Sequence, residues 1–70
     1  MTDEQLENWF TYHRPEEGDP EKYEAIRDAA RDFAQVIVDN TPASADQSAA
    51  IRKMREAVMT ANASIACGGK

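Results

Sequence analysis

The chain has 70 residues, a formal net charge of -5 and a single cysteine, Cys67. One cysteine excludes an intramolecular disulfide, and one histidine without CxxC or HExxH spacing leaves no metal centre to assemble. Net acidity argues against non-specific binding to duplex DNA or anionic membranes.

A chain this short buries only about 60% of its unfolded surface. With neither disulfide nor metal to help, self-association is the expected source of stability. The opening "MTDEQLENW" has no basic region and no apolar stretch of a signal peptide, and no apolar run approaches the ~18 residues of a membrane span. A cytoplasmic protein is expected.

The first element in chain order is a short helix within residues 1–11. Thr2 is its N-cap, followed by acids that suit the helix dipole. Leu6, Trp9 and Phe10 give it one apolar side. Residues 12–19, "YHRPEEGD", form a loop: Pro15 excludes helix for the residue before it, and Gly18 and Pro20 punctuate the rest.

The second helix spans 20–40. Asp19 is expected as its N-cap, with Pro20 in the first helical position and Glu21 behind it. Apolar residues recur at Tyr23, Ile26, Ala30, Phe33 and Ile37, and Asn40 and Pro42 close the element. The third helix spans 44–67. Ser44 and Gln47 have the spacing of a capping box, and Ile51, Met54, Val58, Ala61 and Ile65 form its stripe. Gly68 suits a left-handed cap.

Two helices of about 30 Å joined by a short turn predict an antiparallel hairpin. The fold class is therefore all-α: one domain over 1–70, with a short N-terminal helix before a two-helix hairpin. A second row of small or apolar residues flanks each seam: Ala25, Ala29 and Val36 on one helix, Ala50, Ala57 and Met59 on the other. A hairpin cannot bury both rows within itself, so packing between protomers is expected.

Catalysis is poorly supplied. A nucleophile needs a positioned base, and the only imidazole, His13, lies more than fifty residues from Cys67. No enzyme and no cofactor are expected.

What stands out is "NWFTYHRP". Trp9 and Phe10 share a face with Leu6 and are expected to clamp the first helix onto the hairpin. Tyr12 and His13 fall where the helix ends, placed to stack on flat rings and donate hydrogen bonds. Arg27 and Arg31, at i and i+4, project from one side of the second helix. They either answer phosphate or join Glu24, Asp28 and Asp32 in a self-satisfied ladder. The spacing leaves both open.

These residues resemble a family. The Tyr12–His13 pair before Pro15, "YEAIR" at 23–27 and "REAVMTANASIA" at 55–66, in that order, are similar to the small phage-encoded anti-CBASS sponges, over about Thr11 to Ala66. Those proteins blunt bacterial cyclic-oligonucleotide antiphage signalling. The resemblance implies a homohexamer of helical hairpins that sequesters cyclic dinucleotides, such as cyclic GMP–AMP, between protomers without cleaving them. It also implies that an aromatic at Tyr12 stacks on a base and that a basic residue at Arg27 covers the ligand. His13 and Arg31 are secondary candidates by location and charge.

One position departs from the pattern. Relatives often carry a basic residue directly after the "ANA-x-IA" string, tied to a second pocket for cyclic trinucleotides. Here it is Cys67, a neutral thiol, and the backbone amides of Gly68 and Gly69 are the remaining donors. The alternative to a sponge is an acidic helical protein–protein inhibitor or assembly adaptor.

Overall fold

The computed structural model describes residues 1–70 as three α-helices without a strand. α1 (Asp3–Trp9) is opened by Thr2, whose hydroxyl accepts from the Gln5 backbone N–H while the Gln5 side chain accepts from the Thr2 N–H. That reciprocal capping box satisfies two of the orphan donors of the first turn. The helix stops at Trp9, and Phe10 is already its C-cap.

α2 (Asp19–Asn40) is capped by Gly18 at φ +87°, a left-handed conformation that glycine adopts without steric cost. Asp19, expected as the cap, is the first helical residue. Its carboxylate turns back, accepting the Glu16 N–H at 2.9 Å and lying 3.8 Å from Lys22 Nζ. The acid therefore braces the loop and leaves the helix end to the glycine.

At the far end, Asn40 Nδ2 donates to the Val36 carbonyl and Thr41 Oγ1 to the Ile37 carbonyl, both at 2.7 Å. Thr41 is extended before Pro42, as a pre-proline residue must be.

α3 (Ala45–Ala66) is capped by Ser44, whose Oγ accepts from the Gln47 N–H at 3.2 Å. Only half of the expected box forms. The Gln47 amide donates instead to the carbonyls of Val38 and Thr41, because those C-terminal groups of α2 have no partner within their own helix. One glutamine thus ties the end of α2 to the start of α3 across the turn.

The α2–α3 seam consists of half-buried residues: Tyr23, Ile26, Ala30, Ala34 and Ile37 against Ile51, Met54, Val58, Ala61 and Ile65. Phe33, expected there, is 58% exposed. At about 100° per residue Ala30 marks the centre of the stripe and Ala34 one side of it, while Phe33 falls just beyond the other side, past Ile26.

No residue is fully buried. The accessible surface is 5825 Å², against roughly 4,400 Å² for a compact monomer of this mass. The radius of gyration, 15.2 Å, likewise exceeds the ~11 Å of a compact 70-residue domain. Val36 and Met59, from the second rows, remain more than half exposed, as does Phe33. An isolated chain thus leaves large apolar side chains in water on both flanks of its seam.

Candidate functional site

α1 sits at the C-terminal end of α3, and its attachment differs from the expected aromatic clamp. Phe10 is 82% exposed and Trp9 51%. The tie is polar. Asn8 Nδ2 donates to the Cys67 carbonyl at 3.3 Å, Cys67 Sγ donates to the Asn8 carbonyl at 3.9 Å, and Trp9 Nε1–H donates to the Lys70 carbonyl at 3.2 Å. The apolar sides of Trp9 and Phe10 stay open because α1 has under two turns and touches the hairpin mainly through its last residues.

The receiving turn is built for this. Gly68 N–H donates to Ile65 O and Gly69 N–H to Ser64 O, with both glycines at positive φ. This is a Schellman motif, whose left-handed C′ position glycine fills. It consumes both glycine amides. They are therefore spent within the helix end and cannot replace a guanidinium there, while the Cys67 thiol is turned to Asn8.

Asn8 also fixes the loop. Its carbonyl accepts from His13 Nε2, so that nitrogen carries the proton and Nδ1 is left over. His13 is half-buried while its neighbour Tyr12 is 83% exposed. The imidazole pins the segment, and the phenol ring stands in solvent. Tyr12, His13, Arg14, Glu16, Asp19 and Lys22 line a cleft of about 530 Å³ together with Ser64–Ala66 and Gly68.

Arg27 and Arg31 lie elsewhere in the protomer. They border a separate groove of about 260 Å³ between α2 and α3, floored by Ala30, Ala34, Ile51 and Val58 and closed by Met59. Arg55 of α3 is its third guanidinium. The acidic ladder offered as an alternative for Arg27 and Arg31 does not form: the one ion pair in the chain is Asp19–Lys22. The single chain therefore brings Tyr12 together with His13, and Arg27 together with Arg31, but holds the two pairs in different concavities.

Arg55 was not singled out from the sequence. Its signal was there, since Ile51, Arg55, Val58 and Met59 follow the i, i+4, i+7, i+8 spacing of one helix face.

Chemically, the cleft offers a free aromatic ring among two cations and two carboxylates, with Lys22 already paired to Asp19, and the groove offers guanidiniums over an apolar floor. An anion suits the groove, and a flat ring suits the open face of Tyr12. No helix is long and apolar enough to cross a membrane. No curated protein and no solved structure matches the chain. Residues 2–66 match the family described as Acb2/Tad1, hairpin domain. With all but the first residue and the last four inside that match, the chain belongs to the Acb2/Tad1 hairpin family, the anti-CBASS cyclic-nucleotide sponges.

Proposed function

We propose that this protein sequesters cyclic dinucleotides, such as cyclic GMP–AMP, intact, and so blunts cyclic-oligonucleotide antiphage signalling in an infected bacterial cell. It does so as a homo-oligomer, a hexamer of hairpins, in which neighbouring protomers complete one another's site. Tyr12 stacks on a base and Arg27 pairs with a phosphate, with His13 and Arg31 beside them.

The observation that carries this reading is the separation of Tyr12 from Arg27. Each is exposed, and neither has a partner within its own chain. A ligand with two bases and two phosphates needs both, and two protomers on a twofold axis present each of them twice. Stacking contributes about 1–3 kcal/mol per base, and hydrogen bonds to charged groups about 1.5–3 kcal/mol each. Two of each total about 5–12 kcal/mol, and the upper end of that range meets the ~12 kcal/mol of nanomolar affinity. One protomer supplies half.

The reading is of binding without cleavage, and the one imidazole is engaged as a strut on the Asn8 carbonyl. A cyclic trinucleotide site at Cys67 is outside the proposal, because both the thiol and the following amides are engaged.

Calorimetry with cyclic GMP–AMP tests it. Tyr12→Ala and Arg27→Ala each lose a few kcal/mol of affinity at unchanged assembly mass, and nucleotide released by heat is still cyclic. Unchanged affinity in both variants removes the site, and linear products point to a phosphodiesterase.

A second reading has its own observation. Asp3, Glu4 and Glu7 line a shallow acidic groove on α1, which would suit a basic protein partner. A stoichiometric host protein co-purifying with the chain, lost on neutralising those acids, would favour an inhibitor or adaptor.

A further inference from the structure

The groove between α2 and α3 holds an arrangement that its two expected arginines do not account for. Arg27 and Arg31 sit one turn apart on α2, and Arg55 of α3 joins them around the same depression. Three guanidiniums bordering 260 Å³ repel one another. Proteins normally relieve such crowding with acidic neighbours, since like charges one turn apart are destabilising.

Acids stand at i-3 of both α2 arginines, Glu24 before Arg27 and Asp28 before Arg31, but neither closes to an ion pair. None of the three makes an ion pair within the chain, and no carboxylate lines the groove. Arg55 has the least prospect of one. Its neighbours at i-4, i-3, i+3 and i+4 are Ile51, Arg52, Val58 and Met59, so no acid shares its side of α3. The floor is aliphatic: Ala30, Ala34, Ile51 and Val58. An apolar floor lowers the local dielectric and strengthens each guanidinium's pull on an anion. It also suits the flat, weakly hydrated guanidinium better than an ammonium.

We propose that Arg55 is a ligand-binding residue, closing with Arg27 and Arg31 a three-guanidinium cradle for the phosphodiester groups of a cyclic dinucleotide. This rests on the cyclic-nucleotide reading above and adds to it a residue from the opposite helix. Arg27 and Arg31 reach the phosphate from one wall and Arg55 from the other, so that the anion is gripped across the groove. Two non-bridging oxygens then meet donors on both sides, while the aliphatic floor receives the ribose edge. Because the cradle spans α2 and α3, it selects for a phosphodiester held against a sugar ring over a free phosphate.

The test measures binding of cyclic GMP–AMP, and of inorganic phosphate as a control, to wild type, Arg55→Gln, Arg55→Lys, Tyr12→Ala and Arg27→Ala. Light scattering reports assembly mass for each. Arg55→Gln is expected to weaken cyclic GMP–AMP at least tenfold at unchanged mass, and to flatten the dependence of log affinity on log salt concentration. Arg55→Lys restores only part of the loss, because an ammonium lacks the bidentate fork. Inorganic phosphate binds weakly throughout.

Wild-type affinity in Arg55→Gln, with Tyr12→Ala and Arg27→Ala both impaired, overturns the cradle and leaves the sponge reading standing. A fall in assembly mass for both Arg55 variants also overturns it, since Arg55 would then serve an interface. Failure of the wild type to bind cyclic GMP–AMP removes both.

Discussion

Asn8 and Cys67 hold one another reciprocally. The Asn8 side chain donates to the Cys67 carbonyl at 3.3 Å, and the Cys67 thiol donates back to the Asn8 carbonyl at 3.9 Å. Residues 59 apart in sequence thereby fasten α1 to the end of α3, and the same Asn8 carbonyl carries His13. The position of Tyr12 depends on a clasp made outside its own loop.

Asn8→Asp keeps the size of the side chain but cannot donate to Cys67 O. Each lost hydrogen bond of this kind costs about 0.5–1.5 kcal/mol. The expected outcome is an α1 that opens more often while the hairpin melts as before. Trp9, the only tryptophan, reports it directly: with its indole N–H released from Lys70, its emission shifts. Hydrogen exchange at residues 10–14 should accelerate, and unchanged exchange there would mean that the clasp does not hold the loop.

Tyr12 separates stacking from hydrogen bonding. Its ring is 83% exposed, so replacing it should leave thermal stability within about 0.5 kcal/mol, as for most surface changes. Tyr12→Phe keeps the stacking face and should retain most of the affinity for cyclic GMP–AMP. Tyr12→Ala should lose about 1–3 kcal/mol for each base it contacts. Equal losses in both variants would assign the binding to the hydroxyl.

Gly68 tests the turn that receives α1. Its φ of +65° costs a side-chain-bearing residue, about 1–2 kcal/mol by the usual left-handed penalty. A Cβ at this position meets no other part of the chain within 4 Å, so any cost comes from the residue's own backbone and not from a packed neighbour. Gly68→Ala should therefore lower the melting temperature and, by disturbing the adjacent Cys67 carbonyl, weaken the Asn8 clasp. A melting temperature equal to wild type would show that the Schellman turn contributes nothing.

Much of the fold was legible in the residues. Capping at Thr2 and Ser44, the apolar period of two long helices and Pro42 after α2 define three helices, because those signals are local. Phe33 lies about 20° outside Ile26 at the edge of the stripe, while Ile37, later in the same 3, 4, 3, 4 count, stays on the seam; that count does not separate flank from seam. Asp19 and Gln47 were assigned local caps, yet each spends its side chain on a neighbouring segment. Spacing within one helix cannot reveal that choice.

The candidate residues were less legible than the helices. Tyr12 and His13 could be picked out from composition and from the proline that follows. That His13 is a strut and Tyr12 a free ring follows only from the carbonyl that Asn8 turns toward the imidazole. Arg55 escaped because its partners, Arg27 and Arg31, come from the antiparallel helix. Whether the arginines would meet acids or stand free could not be decided from i and i+4 spacing alone.

Native mass spectrometry of the protein carrying its purified ligand tests the shared site most directly. The expected spectrum shows an assembly of several chains, each of 7.8 kDa, binding one cyclic dinucleotide for every two of them and releasing it unbroken. A lone 7.8 kDa species that takes up no cyclic dinucleotide, or one that binds a full equivalent by itself, would contradict a pocket built between neighbours.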